Sequence, residues 1–264
     1  RSYLQYVFEL IGLPIRPDYW DYQFKIHHEI DNYNSITFLG LGSIDDFSVE
    51  PPDQFDPESQ ATIEQVPIIK QKTLTLGVSW SRKYKSGKGI VTTSLSSNKL
   101  INDFSRFSNN ILQSGIIYKN DSKEQESKLR VHFKEFKEKF KLSYGFNLQH
   151  SSYFNNTQII QNQVNYYTSI DFFKYGFFGN FSRYFFDDKL SFSLGVRTDG
   201  DTFTYGSGLL NNISPRVSVS YKISEDQKWR LNSSVGSYFK IPTYTTLGYK
   251  NSDDNFINKK NKYI

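Results

Sequence analysis

The sequence has no cysteine, no methionine and no long hydrophobic run. The lack of cysteine excludes a disulfide scaffold, a thiolate zinc site and a cysteine nucleophile. Because no initiator methionine is present, we expect the chain to be a segment of a larger protein. A membrane-spanning helix needs about 20 consecutive apolar residues, and no such run occurs. Strands that cross a membrane are not excluded, since only their alternate residues are apolar.

Aromatic residues are plentiful, with 19 Tyr, 23 Phe and 3 Trp among 264 residues. Strong helix formers are scarce, and alanine is nearly absent. This composition predicts an all-β protein and argues against disorder. The net charge of +5 is a mild excess that suits an anionic ligand, a membrane surface or a merely solvated basic surface.

Apolar and polar residues alternate along most of the chain. Trp20 to Ile30 and Phe140 to Leu148 are the clearest runs of this period-two pattern. The alternation predicts about eleven strands, near residues 20–30, 74–80, 129–133, 140–148, 173–181, 190–196, 217–223 and 229–239, with weaker ones at 1–8, 36–49 and 90–98.

Short and long connections between these strands alternate along the chain. Short turns are predicted at 32–35, 85–89, near 138, at 187–188 and at 225–228. Long polar segments are predicted at 9–17, 51–70, 99–124, 152–168, 205–213 and 241–264. Antiparallel transmembrane β-barrels of the outer membrane have this asymmetry, with tight turns on the periplasmic side and long loops outside the cell.

A soluble β-sandwich would also alternate, but its strands are usually about 5–6 residues long. The longer runs here favour the barrel. Aromatic residues near strand ends also fit the girdles of a barrel at the membrane interfaces: Trp20, Tyr22, Trp80, Tyr84, Tyr184, Phe186 and Trp229.

Two stretches near the end of the chain share a recognisable strand pattern. Residues 211–222 contain a Ser-Pro-Arg strand start, and residues 229–242 form an alternating strand that ends in Gly, aromatic, basic and Pro residues. In these two stretches the sequence resembles TonB-dependent outer-membrane receptors. The opening stretch, residues 1–21, is similar to the subgroup with a carboxypeptidase-like regulatory extension. The resemblance implies a 22-stranded barrel, of which eleven strands would form about half. Neither a plug nor a TonB-contacting segment is visible, so we expect residues 1–264 to be one partial barrel domain.

The resemblance further implies a bacterial outer-membrane receptor that imports a scarce nutrient, such as a siderophore, a peptide or a glycan. Its partners would be the TonB complex, reached through the missing N-terminal region, outer-membrane lipids and, for a glycan importer, a surface lipoprotein. Two alternatives stay open. One is a passive porin or an assembly-type barrel, and the other is a soluble β-sandwich binding module.

Parity and loop length together place ten polar residues on the inner face of such a barrel. The predicted ligand-binding residues, nearest the extracellular end, are Asp21, Gln149, Asp199, Arg216 and Lys240. The predicted plug-contacting residues, which lie deeper, are Lys25, His27, Arg130, Lys222 and Arg230. Any one of them could equally be a hydrated wall residue. Tyr238 and Tyr244 could stack on a sugar or an aromatic siderophore, and packing within a girdle or a loop suits them at least as well.

No motif for catalysis or for cofactor binding is present. The four histidines lack the spacing of a metal site, and the glycines fit neither a dinucleotide loop nor a P-loop. No Gly-x-Ser-x-Gly elbow occurs. The lysines of residues 134–141 alternate with glutamates at a turn, which predicts a headgroup or periplasmic contact rather than nucleic-acid binding. We therefore expect no enzyme activity, no cofactor and no metal.

Overall fold

A computed structural model describes residues 14–49, 56–223 and 229–259. Its main element is one antiparallel sheet of ten strands that follow one another in chain order. The strands are β1 (Ile15–Glu29), β2 (Asn34–Val49), β3 (Ile68–Lys83), β4 (Gly89–Asn109), β5 (Ser114–Phe136), β6 (Phe140–Ile159), β7 (Val164–Phe185), β8 (Leu190–Asp201), β9 (Ile213–Lys222) and β10 (Arg230–Gly236).

The sheet confirms the all-β prediction of a partial barrel. In the described part of the chain, β1 and β10 do not pair with each other, so the sheet stays open. The alternative of a two-layered soluble sandwich is wrong, because the ten strands form a single sheet. The strand predicted at 1–8 lies outside the described residues.

The sheet has one polar and one apolar face. Successive side chains along a strand point to opposite faces, and residues paired across strands point to the same face, so the alternating sequence separates polar from apolar side chains. On the polar face, Ser143 pairs with Asn180, which pairs with Gly195. On the apolar face, Phe146 pairs with Phe177. Large apolar side chains are widely exposed on that second face, as in Trp20, Phe24, Ile26, Leu76, Leu148, Leu194 and Val235.

The exposed apolar surface forms a band of limited height. On β6 it comprises Phe140 to Leu148, a span that fits the ~9–11 residues of a tilted transmembrane strand. The next outward residue, His150, lies with its Nε2 atom 2.9 Å from an Asp171 carboxylate oxygen. Charged groups therefore bound the band at one edge. Tyr184 is an exception to the predicted aromatic girdle, because its pairing with Ser191 places it on the polar face.

Short turns gather at one end of the sheet, called the turn end below. They occupy residues 30–33, 84–88, 137–139 and 186–189, as predicted. In the first turn the Asp31 carboxylate accepts hydrogen bonds from the backbone N–H groups of Tyr33 and Asn34 and from the Asn34 side chain. The Asn34 amide and these N–H groups hold the pKa of Asp31 below its usual value. The turn predicted at 225–228 lies outside the described residues.

The opposite end, the loop end, differs from the prediction. The long loops predicted at 99–124 and 152–168 are wrong, because β4 to β7 continue as paired strands and close in turns at 110–113 and 160–163. The segment between β2 and β3 contains a helix, α1 (Pro57–Gln65). The Asn110 side chain ties α1 to the β4–β5 turn by donating to the carbonyl oxygens of Ile63, at 2.5 Å, and Val66, at 2.9 Å.

Residues 237–259, called the return segment below, fold back over the polar face after β10. They contain a one-turn helix, α2 (Tyr244–Leu247). The main buried apolar cluster lies at this contact and comprises Tyr153, Ile170, Phe172, Tyr244 and Leu247. The Tyr166 and Thr168 hydroxyls each donate to the Gly248 carbonyl oxygen at 2.7 Å. The return segment is therefore held by apolar packing and by hydrogen bonds, and it covers part of the polar face.

Candidate functional site

A cavity of about 310 Å³ opens on the polar face beside the return segment. Strands β6 to β9 form its floor, and residues 239–242 form one wall. Four of the five predicted ligand-binding residues line it: Gln149, Asp199, Arg216 and Lys240. The fifth, Asp21, lies on β1 at the opposite edge of the sheet, paired with Ser43, and does not line the cavity.

Arg197 and Asp199 form a bidentate ion pair within the cavity. The Nε–Oδ2 distance is 2.6 Å and the Nη2–Oδ1 distance is 2.8 Å. Gly176 lies beneath the pair on β7, and a Cβ atom there would be 2.3 Å from Asp199 Oδ1 and 2.9 Å from the Thr198 carbonyl oxygen. Only glycine leaves room for this pair. The two charges compensate each other, because fork-to-fork geometry is the strongest form of such a contact.

Asp201, the second acid of the cavity, has its carboxylate engaged by hydrogen bonds from the turn that follows β8. Its carboxylate accepts the backbone N–H of Phe203 at 2.8 Å and that of Thr204 at 2.5 Å, together with the Thr204 hydroxyl at 2.7 Å. Its role is therefore to shape the β8–β9 connection at the rim of the cavity.

Arg216 and Lys240 are the uncompensated cations of the cavity. Within residues 14–49, 56–223 and 229–259, neither forms a salt bridge or a side-chain hydrogen bond. The Arg216 guanidinium lies over the Tyr238 ring, 4.5 Å from its centroid. Its register partners on both neighbouring strands are glycines, Gly195 and Gly236. Arg216 is therefore exposed with open space on both sides, and its N–H groups are available to a ligand.

A polar cluster anchors the return segment next to the cavity. Lys174 Nζ donates to the Tyr244 hydroxyl at 2.6 Å, and the Tyr244 hydroxyl donates to the Glu126 carboxylate. Lys128 Nζ lies 2.6 Å from the same carboxylate. Burial, followed by the hydrogen bond to Glu126, raises the pKa of the Tyr244 phenol, so this group remains a donor.

Sequence reasoning missed Glu126 and Lys174, because their contacts with Tyr244 span 118 and 70 residues. No local pattern could have indicated them. Of the two interpretations of Tyr244, packing rather than ligand stacking holds, because its ring is 8% exposed and packs against Tyr153 and Phe172. Tyr238 remains exposed and lies beneath Arg216.

The five predicted plug-contacting residues lie on the polar face but in three separate places. Lys25 and His27 lie on β1, where His27 Nδ1 is 2.8 Å from Thr37 Oγ1. Arg130 lies on β5 with its guanidinium 4.9 Å from the centre of the Phe178 ring. Lys222 and Arg230 are register partners on β9 and β10. They line a second cavity of about 620 Å³ at the turn end, together with Lys141.

Clusters of metal-ligating side chains and long apolar helices are both absent from the part of the chain that the structure describes. No three His, Asp or Glu side chains come together there in an arrangement that could hold a metal ion. Neither α1 nor α2 nor any other helix of that part is long and apolar enough to cross a membrane.

Comparison with known proteins decides the family. A family model described as "TonB dependent receptor-like, beta-barrel" matches residues 17–261. The chain belongs to the TonB-dependent receptor β-barrel family. This family comprises receptors and transporters rather than enzymes, and its members are outer-membrane barrels of Gram-negative bacteria. Membership replaces the alternative of a passive porin or an assembly-type barrel. The subgroup extension predicted for residues 1–21 remains a prediction.

No curated protein sequence matches the chain. Among solved structures, it is similar to the copper transporter OprC, with a TM-score of 0.66 and 13% identity over 89% of this chain and 38% of that one. It is also similar to a chain of the FpvAI–pyocin S2 complex, with a TM-score of 0.63 and 13% identity over 92% of this chain and 37% of that one. A third similar structure is BauA, the ferric preacinetobactin receptor from Acinetobacter baumannii. Its TM-score is 0.55, with 9% identity over 81% of this chain and 39% of that one.

These likenesses establish the fold alone, because the identities are low. The chain spans less than two-fifths of the length of each of these three structures. The ten-stranded open sheet of this TonB-dependent receptor barrel is therefore comparable to part of a receptor of that kind.

Proposed function

We propose that this chain forms part of the wall of an outer-membrane importer that takes up a scarce nutrient with energy from the TonB complex. The observation that supports this most directly is the two-faced sheet: an apolar band of membrane-spanning height on one side and a polar face with a charged cavity on the other. An apolar band exposed over so many strands needs lipid against it, since water-soluble proteins rarely expose so large an apolar patch.

In this proposal the cavity is the ligand site. Gln149, Asp199, Arg216 and Lys240 would contact a ligand that arrives from the loop end, which faces the outside of the cell. The opening of the cavity lies beside the return segment, so residues 239–242 would also contact the ligand. Asp21 would be a wall residue on the far side of the lumen.

The polar face nearer the turn end would meet a plug domain. We propose that Lys25, His27, Arg130, Lys222 and Arg230 contact the plug in the complete receptor through hydrogen bonds and ion pairs. The plug, the remaining strands and the TonB-contacting segment would belong to other parts of the complete protein. The residues named here therefore supply the wall and do not transduce energy.

The nutrient would be a siderophore or other metal chelate, a peptide or a glycan. Copper and ferric preacinetobactin appear in the names of two similar structures, OprC and BauA, and support this range for proteins of this fold. A glycan importer would pair with a surface lipoprotein, and copurification of such a lipoprotein with the receptor would favour that class.

The test uses the complete receptor in its own outer membrane. We expect the receptor to migrate faster on a gel before heating than after it, as folded barrels do, and to take up its nutrient only in cells with a functional TonB complex. Recovery in the soluble fraction would contradict the membrane assignment. Uptake that persists without TonB would contradict the energy source.

A further inference from the structure

The charges on the polar face are divided unevenly between the two halves of the sheet. On β1, the acids Asp21 and Glu29 flank the cation Lys25 along the same face. From the row of Arg130 to the turn end, the described polar face of β5 to β10 bears one acid, Asp199, which is paired with Arg197. Asp188, in the turn between β7 and β8, lies beside the cavity at the turn end. Seven cations lie on the same part of these strands: Arg130, Lys134, Lys141, Arg197, Arg216, Lys222 and Arg230.

Aromatic rings, rather than carboxylates, support three cations of this half. Arg216 lies over Tyr238 at 4.5 Å, Arg130 over Phe178 at 4.9 Å, and the Lys141 Nζ atom over Tyr184 at 5.1 Å, all measured to the ring centroid. A ring holds a cation in place without cancelling its charge. These three groups are therefore positioned while their N–H donors stay available.

The cavity continues this excess of positive charge. Its lining contains four cations, Lys174, Arg197, Arg216 and Lys240, and two acids, Asp199 and Asp201. Lys174 is engaged by Glu126 and Tyr244, and Arg197 by Asp199. Arg216 and Lys240 remain to attract a ligand charge, in a concave site where the field of the surrounding cations adds to theirs.

We propose that the cavity binds an anionic ligand with at least two negative charges, borne by carboxylate or phosphate groups, and that Arg216 and Lys240 are its direct partners. Arg216 offers a planar fork that matches either group, and Lys240 adds a point charge from the wall that residues 239–242 form. The cations nearer the turn end would guide the same ligand inward once the plug moves aside. This inference rests on the proposed importer function and names its ligand class.

The test measures binding of citrate, a trianionic probe, to the complete purified receptor in detergent by calorimetry. We expect citrate to bind and sucrose, a neutral probe, not to bind. The double variant Arg216→Gln with Lys240→Gln should weaken citrate binding by about tenfold or more, because two charge-assisted contacts are lost. Arg216→Lys keeps the charge but loses the planar fork, so it should bind citrate more tightly than Arg216→Gln and less tightly than the unmodified receptor. Raising the salt concentration should weaken binding.

Lys83→Gln is the matched control, since it removes one exposed cation from the same face on β3, away from the strands that form the cavity. We expect its citrate affinity to equal that of the unmodified receptor. Equal weakening by Lys83→Gln, or equal binding of sucrose, would overturn the proposal. Citrate binding that appears only after deletion of the plug would also overturn it, in favour of an acidic plug surface as the occupant.

These outcomes are separable from failure of the importer function. A receptor that shows TonB-dependent uptake but does not bind citrate leaves the function intact and refutes the ligand class. A receptor that binds citrate without TonB-dependent uptake has the opposite consequence.

Discussion

Individual polar side chains on the inner surface of this barrel wall fall into two kinds. Some are saturated by neighbours, such as Arg197 with Asp199, and serve to shape the cavity. Others, such as Arg216, are held in place but keep their donors available. Tyr244 belongs to the first kind, because its hydroxyl contacts both Lys174 and Glu126. That hydroxyl ties α2 to charged groups on β5 and β7.

We expect Tyr244→Phe to loosen the return segment, because the ring still packs while the hydrogen bond to a charged acceptor is lost. The cost is about 1.5–3 kcal/mol, or about tenfold or more in the open population. The measurement is maleimide labelling of Ile170→Cys, a site that is 3% exposed beneath the segment. Because the natural chain has no cysteine, this reporter would be the only thiol in these 264 residues.

Tyr238→Phe is the control for this experiment, since the Tyr238 hydroxyl lies on an exposed side chain. Its labelling rate should match that of the reporter alone. Equal labelling of the Tyr244→Phe and Tyr238→Phe variants would show that apolar packing holds the segment without help from the hydroxyl.

At the scale of whole strands, the sequence is informative only where the two faces of the sheet meet different surroundings. Alternation predicted β6 from Phe140 to Leu148, which is the part inside the apolar band. It failed for the extensions of β4 to β7, where outward residues such as Lys119 and Asp121 form an ion pair at 3.4 Å in place of an apolar surface. When both faces meet water, no period remains to be read from the sequence.

The same reasoning explains the site. Parity placed Gln149, Asp199 and Arg216 on the correct face, because face follows from sequence position. Parity could not predict that these three residues line one cavity while Asp21 lies at the opposite edge of the sheet, because neighbourhood depends on the order of strands across the sheet. The return segment was predicted as a loop, and its inward fold depends on contacts with β6 and β7 that are distant in sequence.

β10 offers a test of the face assignment. Val235 lies on the apolar face opposite Val217, and Ser234 lies on the polar face opposite Ser218. A charge facing lipid near the membrane midplane costs about 2–4 kcal/mol, whereas one in a hydrated lumen costs far less. Val235→Arg should therefore reduce the amount of complete receptor in the outer membrane much more than Ser234→Arg does. Similar abundance of the two variants would show that this part of β10 does not face lipid.

For the whole molecule, the decisive feature is that the sheet has two edges. In the described residues, β1 and β10 each present one row of unpaired backbone groups. Exposed edges of long strands recruit other strands, and membrane barrels avoid this by closing. The family and the strand pattern were both accessible from the sequence, but the pairing that would close the sheet cannot be inferred from this chain.

We expect the isolated 264-residue chain, refolded in detergent, to self-associate through these edges. Size-exclusion chromatography with light scattering should show oligomers, and the complete receptor treated in the same way should be monodisperse. A stable, monomeric isolated chain would show that its edges are protected within the chain itself.

The return segment also has a thermodynamic consequence for any cargo. It already occupies the apolar patch around Phe172 and Ile170, so it competes with incoming molecules for that part of the wall. The apparent dissociation constant of a cargo that needs this patch equals the intrinsic constant divided by the fraction of receptors in which the segment is displaced. In the proposed importer, a tightly anchored segment would therefore select cargo by affinity: it would exclude weak binders and yield only to molecules that bind strongly enough to displace it.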